Sequence, residues 1–566
     1  VKLFAAIGLF VLSLSLALVG VAQRTIWAPP PAHVLNLEYD AENHFAVIDQ
    51  KTLSTFPGNP TVTVFGDEKT FVSSGRESDI RAWIADSSFT SIQVKEADDE
   101  TLELEPISNF GFDLSLSPRG SDLWRDEANG KQKAELAVKN EHDAAILIAT
   151  DGRSPAPGKV TVSWPIAYDL TPSNINLIVA GVLLAAALII NLFSVSEERR
   201  RRRPQRRVPK APQGPKTRSR KSRLDIPRRG RRVARKVSVA TSGLLVLGLL
   251  SGCSPAATPV DPTPTPSSDV IADPPVLIES QIQRIVSNVA MWAKKADGAT
   301  DKAMLLTRFE GAAQQMRTTY YYLMSKSTKN EALPPIEERI TWSLPASSTI
   351  WPRTIMVVTD AVDDNLPQML VMSQSSPRAQ YKVSYVVSLV PGAALPPVAA
   401  AEAGAIPVAS DSAYLKVVPR QLPPTYGDVI DKGNLSEFFG LFDLENDKYY
   451  ADVSALERAQ VQKLTKAKIK FKHYLGSSKV LALSTASGGA LVAVYMKDDY
   501  TIKPIKVGSG VTVSGNEKIM LGTAGSVKGV RSTYGNMMVF YVPPLSADEK
   551  TTLLGVTQGL LAVKGL

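Results

Sequence analysis

The chain has 566 residues, a formal net charge of +9 and 44% hydrophobic content, which allows several buried cores and three or four domains by length, and excludes a chain that is unfolded throughout. The charge is concentrated: residues 199–236 hold 19 Lys or Arg against one acid, Asp225, so the remainder is mildly acidic and the pI of 9.2 says little about folded surfaces. A single cysteine, Cys253, excludes an intramolecular disulfide.

Residues 1–23 contain "LFAAIGLFVLSLSLALVGVA" (Leu3–Ala22), 20 residues without a charge. At about 1.5 Å rise per residue such a helix covers a hydrocarbon core of about 30 Å. The "GVA" before Gln23 leaves a signal-peptidase site open, but the sparse basic start (Lys2) and the long apolar run favour an uncleaved anchor. Residues 24–173 read as an exported, all-β sandwich of about nine strands, carried by "VLNLEYD", "FAVID", "TVTVFG", "IRAWIAD", "SIQVKEA", "TLELEP", "KAELAVK", "AILIAT" and "KVTVSW". Gly66-Asp67, Asn129-Gly130 and Asp151-Gly152 punctuate them as turns, and Trp83 and Trp124 are expected in the core rather than at a ligand. Residues 174–195 form a second expected span, "INLIVAGVLLAAALIINLF", with Trp164 and Tyr168 upstream at interfacial positions.

The basic linker, 196–236, is expected in the cytoplasm, because short loops rich in Lys and Arg are retained there. It has no aromatic residue to stack on a base, so nucleic acid is not expected as a partner; anionic headgroups are the alternative to a purely topological role. Chain returned to the cytoplasm needs a new signal to leave again. Residues 237–253, preceded by basic Arg235 and Lys236, supply its parts in order: apolar Val237–Leu250, then Ser251, Gly252 and Cys253. Leu250-Ser251-Gly252-Cys253 resembles the bacterial lipobox, which implies lipid attachment at Cys253 and cleavage before it. The alternative is a short third transmembrane helix burying a small thiol. Residues 254–275, rich in Pro and Thr, are expected to be an extended stalk.

Beyond the stalk the pattern is α+β. Ile278, Ile282, Ile285, Val289 and Trp292 make one helical stripe, and Leu305, Phe309, Ala312, Met316, Tyr320 and Leu323 make another. "RTIMVVTD", "QMLVMSQS" and "YKVSYVVSLV" follow as strands, closing a first repeat over 276–391. After a linker, 392–424, a second repeat over 425–566 opens with "YGDVIDKGNLSEFFGLF" and "VSALERAQVQKLTKAK" as helices, the latter with Ser454 and Glu457 as a capping box. "VLALST", "GALVAVYM", "TYGNMMVFYVPP" and "TLLGVTQGLLAV" then read as strands. Helices followed by an antiparallel sheet, twice, resembles the cystatin-like or nuclear-transport-factor-like cone fold. That resemblance implies a conical pocket, which Tyr320, Tyr321 or Tyr322 could line, although consecutive helical positions do not share a face.

No catalytic, cofactor or metal residue is predicted. His33, His44, His142 and His473 are scattered, and no H-E-x-x-H, G-x-S-x-G or Walker pattern occurs. "GSGVTVSG" (Gly508–Gly515) reads as a hairpin loop, and Asp363-Asp364 and Asp498-Asp499 as solvated turns. Through "QRTIWAPP" (Gln23–Pro30), "SDLW" (Ser121–Trp124), "LSGC", "WPRT" (Trp351–Thr354), "YGDV" (Tyr426–Val429) and "FYVPP" (Phe540–Pro544), the chain resembles an uncharacterised family of actinobacterial membrane proteins, which implies no known activity. The expectation is a non-enzymatic cell-envelope protein of the cytoplasmic membrane whose exported parts bind or assemble with an envelope protein; a lipoprotein that captures a small ligand is the alternative, and an envelope enzyme the least favoured.

Overall fold

The computed structural model describes residues 2–201 and 273–566, apart from 29, 68, 99, 100, 140, 142, 169, 328–332 and 362–364. The predicted basic linker beyond residue 201, the internal signal with Leu250, Ser251, Gly252 and Cys253, nearly all of the stalk, Asp363-Asp364 and His142 therefore lie outside the described residues.

In chain order the first part runs α1 (Lys2–Ala22), β1 (Ala32–Glu38), β2 (Phe45–Ile48), α2 (Gln50–Leu53), β3 (Thr61–Phe65), β4 (Thr70–Arg76), α3 (Glu77–Ile84), β5 (Phe89–Asp98), β6 (Thr101–Asn109), β7 (Asp126–Gly130), β8 (Lys133–Ala137), β9 (Ala144–Ala149), β10 (Lys159–Pro165) and α4 (Thr171–Arg201). The two apolar helices α1 and α4 make one compact unit, and the folded regions before and after residues 202–272 make the other.

Both helices of the first unit are long and apolar enough to cross a membrane, and little of either is covered by protein. They pair antiparallel. Ser13 Oγ donates to the Ala180 carbonyl (2.7 Å), and Ser173 Oγ to that of Gly20 (2.9 Å). A Cβ on Gly20 would lie 2.9 Å from the Leu177 side chain, so the close approach there depends on glycine. Small residues and hydroxyl bonds at the contact, with Leu, Ile and Phe turned outward, are what helices need when lipid rather than water surrounds them.

In the second unit, strands of the N-terminal region form two sheets, ordered β1-β10-β3-β8 and β6-β5-β2-β9-β4-β7. Alternation drives their packing: Val62 and Val64 of β3, and Val160, Val162 and Trp164 of β10, meet Ile146 and Ile148 of β9 in one core. Strand β9 is buried on both faces, because Ala145, Leu147 and Ala149 point into a second core with Phe45, Phe71, Trp83 and Trp124. The expected core role of both tryptophans thus fits their surroundings. The region is α+β rather than all-β: "IRAWIAD" belongs to helix α3, whose Ile80, Trp83 and Ile84 at i, i+3 and i+4 cover that second face, and β2 pairs parallel with β5.

The C-terminal region begins with α5 (Glu279–Ala299), α6 (Lys302–Arg308) and α7 (Gly311–Lys326) and the meander β11 (Ile340–Pro345), β12 (Arg353–Thr359), β13 (Gln368–Gln374) and β14 (Lys382–Ser388). The single stripe expected from Leu305 to Leu323 is broken: Phe309 is extended, bridging to Val383, and Gly311, the first residue of α7, takes φ +59°. Helices α8 (Leu422–Lys432) and α9 (Lys448–Lys463) follow, then β15 (Ala467–Lys470), β16 (His473–Leu475), β17 (Leu481–Ser484), β18 (Ala490–Pro504), β19 (Val511–Thr512), α10 (Gly515–Leu521), β20 (Gly525–Ser526), β21 (Val530–Val542) and β22 (Thr552–Gly565). Strand β18 is the spine of this sheet, pairing with β15, β16 and β17 on one edge and β21 on the other. Its Leu491, Ala493 and Tyr495 enter the core that also holds β12–β14 and α5–α7, while Val492, Val494 and Met496 face α8. The two halves of the C-terminal region thus share one core, and the Val390 amide donates to the Leu554 carbonyl (2.9 Å) where β14 and β22 meet.

Three further expectations are corrected. "GSGVTVSG" is not a hairpin loop, since β19 pairs with β20 across α10. Asp498 and Asp499 lie within β18, where Asp498 is fully buried in a polar network rather than solvated in a turn. Ser454 and Glu457 do not cap α9. The helix starts earlier, with Asp447 accepting from the Tyr450 amide (2.9 Å), and both residues point inward.

Candidate functional site

Two polar constellations stand out in the folded unit. The first is the seam between its N- and C-terminal regions. Arg308, ending α6, donates through both terminal nitrogens to Asp122 (2.5 and 3.1 Å), and Asp122 also accepts from the Tyr381 amide (2.7 Å). Arg353 of β12 donates to Asp79 of α3 (2.7 Å) and stacks on Trp351, which packs into the core of Trp83 and Trp124. All four charged side chains are at most 2% exposed. Buried charges persist only when paired and hydrogen-bonded, so the seam is specific: each arginine needs its carboxylate from the other region. Arg378 adds bonds to the carbonyls of Trp83 (2.8 Å) and Ile84 (3.2 Å) where α3 ends. Gln281 donates to the Leu123 carbonyl (2.9 Å).

The second constellation surrounds His473. Strand β16 presents this residue toward α8 and α9, and Gly427 in α8 makes room for it: a Cβ at 427 would lie 2.2 Å from the Cβ of His473. His473 Nδ1 is 2.7 Å from Asp498 Oδ1, and Asp498 also accepts from Asn536 (2.6 Å). On the other side of the ring, Nε2 lies 3.5 Å from both Asp431 Oδ1 and Glu457 Oε1. The imidazole is 1% exposed and the Glu457 side chain 6%, whereas Asp431, at 39%, opens the site to solvent. Nε2, Glu457 Oε1 and Ser454 Oγ are buried without a hydrogen bond of normal geometry. A pocket of about 560 Å³ adjoins, walled by Asp431, Tyr450, Ser454, Glu457, Arg458 and Phe471.

The electrostatics follow from this crowding. Burial pushes the Glu457 carboxyl up to about 7, against the pull of His473. Burial by itself lowers the His473 pKa, but Asp431, Asp498 and Glu457 outweigh it and hold the ring up to about 10. With protons alone the centre is an imidazolium among carboxylates. Asp431, Glu457 and His473 each also offer one ligand atom, all within 4.8 Å of one another, in the arrangement a metal would use.

A third feature is a cavity of about 320 Å³ lined by Met316, Tyr320, Leu323, Val386, Met537 and Leu560 among others. Of the three consecutive tyrosines Tyr320 lines it, Tyr321 is buried with its hydroxyl on Asp297 (2.6 Å), and Tyr322 is exposed. His33 stacks on Phe56, and His44 pairs with Asp113 (3.1 Å), so neither joins His473.

Residues 274–565, just over half of the chain, match the family described as Domain of unknown function (DUF8094). The chain belongs to this family. No curated protein and no solved structure matches the chain. The DUF8094 region contains the whole His473 centre and the 320 Å³ cavity, and it supplies Arg308 and Arg353 to the seam. Sequence reasoning missed the His473 centre because its parts come from α8, α9, β16 and β18, with no fixed spacing. The available signal was weak: a His and an Asp, each beside charged residues (Lys472, and Lys497 and Asp499) that make both read as ordinary exposed positions in the sequence.

Proposed function

We propose that this is a membrane-anchored cell-envelope protein whose two folded regions act together, outside the cytoplasmic membrane, as one non-enzymatic binding and assembly module. The observation that carries the reading is the buried seam. Regions joined by Asp122–Arg308 and Asp79–Arg353 lie on the same side of any membrane. If α4 crosses once, the chain must cross again before residue 273. The apolar run Val237–Leu250, entered from 19 basic residues, is the stretch suited to do so. Lipidation at Cys253 belongs to the same reading, supported by "LSGC" behind that run; an actinobacterial source rests on the short motifs, and a cone-like C-terminal region on its element order. Cleavage before Cys253 would leave two anchored chains held by the seam.

Impermeant maleimide labelling of single-cysteine variants in a Cys253→Ala background tests this. Lys131→Cys and Lys506→Cys, both at exposed positions, should label in intact cells, and Gln213→Cys only after permeabilisation. Labelling of Gln213→Cys from outside, or protection of either of the others, overturns the reading. The second reading, capture of a small apolar ligand, is favoured by the 320 Å³ cavity, whose volume lies at the lower end for ligand pockets.

A further inference from the structure

We propose that Asp431, Glu457 and His473 form a divalent-metal site of the zinc class. The spacing supports it first. An ion bound tetrahedrally at about 2.1 Å sets its donor atoms about 3.4 Å apart. Nε2 lies 3.5 Å from each of the two carboxylate oxygens, and all three donor atoms lie within 4.8 Å of one another, so an ion would draw the Asp431 and Glu457 carboxylates together around it.

The hydrogen-bonding pattern supports it independently. With Asp498 placed to accept the Nδ1 proton of His473, displacement of the Nε2 proton by an incoming cation leaves the Nε2 lone pair facing Asp431 and Glu457. A lone pair facing two carboxylates is repulsive unless a cation, a proton or a metal ion, lies between them. Separations of 3.5 Å are long for N–H···O bonds and favour the metal. The carboxylate-to-histidine bond behind the ring is the support that metal-binding imidazoles use, and Asn536 orients that carboxylate in turn. Nε2 and Glu457 Oε1, 3.5 Å apart, are both buried without a hydrogen bond of normal geometry, which asks for a ligand there.

The donor set narrows the ion. One imidazole nitrogen with two carboxylate oxygens suits zinc, manganese or iron(II), whereas calcium and magnesium prefer all-oxygen sites. The charge balance agrees: three carboxylates surround one imidazole. Lys432 is engaged with Asp428 (2.6 Å), and Arg458 stands in the wall of the adjoining pocket. With three protein ligands the ion keeps a coordination position for solvent or an anionic oxygen entering from that pocket.

Titration of the detergent-solubilised full chain with Zn²⁺ after chelator treatment, followed by calorimetry and thermal melting, tests the site. One equivalent should bind and raise the melting temperature. Glu457→Gln and His473→Gln should abolish that binding, and Asp498→Asn should weaken it by about 10–100-fold. Asp431→Asn, at the exposed edge where folding is not at stake, should weaken it about tenfold or more, and His44→Ala should leave it unchanged. Absence of stoichiometric binding, or equal binding by wild type, Asp431→Asn and Glu457→Gln, overturns the proposal.

Discussion

Gly427 shows how narrowly the His473 centre is built. In an ordinary helix, replacing glycine by alanine gains about 1 kcal/mol, because the unfolded chain loses freedom and the helix gains a good former. Here the added methyl would fall 2.2 Å from the Cβ of His473. That atom cannot rotate away as a side-chain tip could, so α8 or β16 must shift. Overpacking of this kind costs about 1–3 kcal/mol, occasionally more, and outweighs the helical gain. Gly427→Ala should therefore lower the denaturation midpoint, whereas a surface glycine such as Gly440, with nothing near its would-be Cβ, should tolerate alanine. Chemical denaturation followed by circular dichroism checks the difference in sign.

At the scale of elements, α9 places the acid of the centre, and its start decides where Glu457 points. Asp447 performs two tasks. One carboxylate oxygen accepts the Tyr450 amide (2.9 Å), and the other accepts the buried Tyr426 hydroxyl (2.6 Å), which ties α9 to α8. Asp447→Ala removes a cap worth about 0.5–2 kcal/mol and strands a buried hydroxyl at about 1–3 kcal/mol. The expected loss is about 2–4 kcal/mol in urea unfolding, with Asp447→Asn losing much less because its carbonyl oxygen can still accept. The same helix shows what was legible beforehand. Its existence was, from periodicity, but its start was not: Ser454-x-x-Glu457 matches a capping pattern that an inward-facing helical turn also satisfies. Strands with strict alternation, such as β3 and β10, were legible because one face is wet. Helix α3 was not, because Ile80, Ala82 and Ile84 alternate as a strand would, and only its packing over β9 selects the helical period. Asp498 reads as a turn residue in the sequence because a buried acid makes sense only beside His473 and Asn536, which sequence spacing does not bring together.

For the whole molecule, the consequential fact is that regions more than a hundred residues apart in the chain share a dry, charged seam. Two of the motifs behind the family resemblance, "SDLW" and "WPRT", contribute Asp122 and Trp124, and Trp351 and Arg353, to it. Replacing either aspartate leaves an arginine buried without its charge partner, a loss of about 3–5 kcal/mol per site. At about 1.4 kcal/mol per factor of ten, that is at least about a hundredfold in the stability of the association. A protease site inserted near residue 213, in the basic linker, turns the seam into a binding interface between two fragments. With the wild-type seam, the C-terminal fragment should co-purify with a tagged N-terminal fragment in detergent after cutting. With Asp79→Ala and Asp122→Ala together, it should be lost on washing. The Asp122→Leu and Arg308→Met pair, which removes both charges and so leaves no unpaired ion at that site, should hold the fragments better than Asp122→Ala alone. If the wild-type fragments part as soon as the chain is cut, the seam is only a contact enforced by connectivity, and the two regions need not share one side of the membrane.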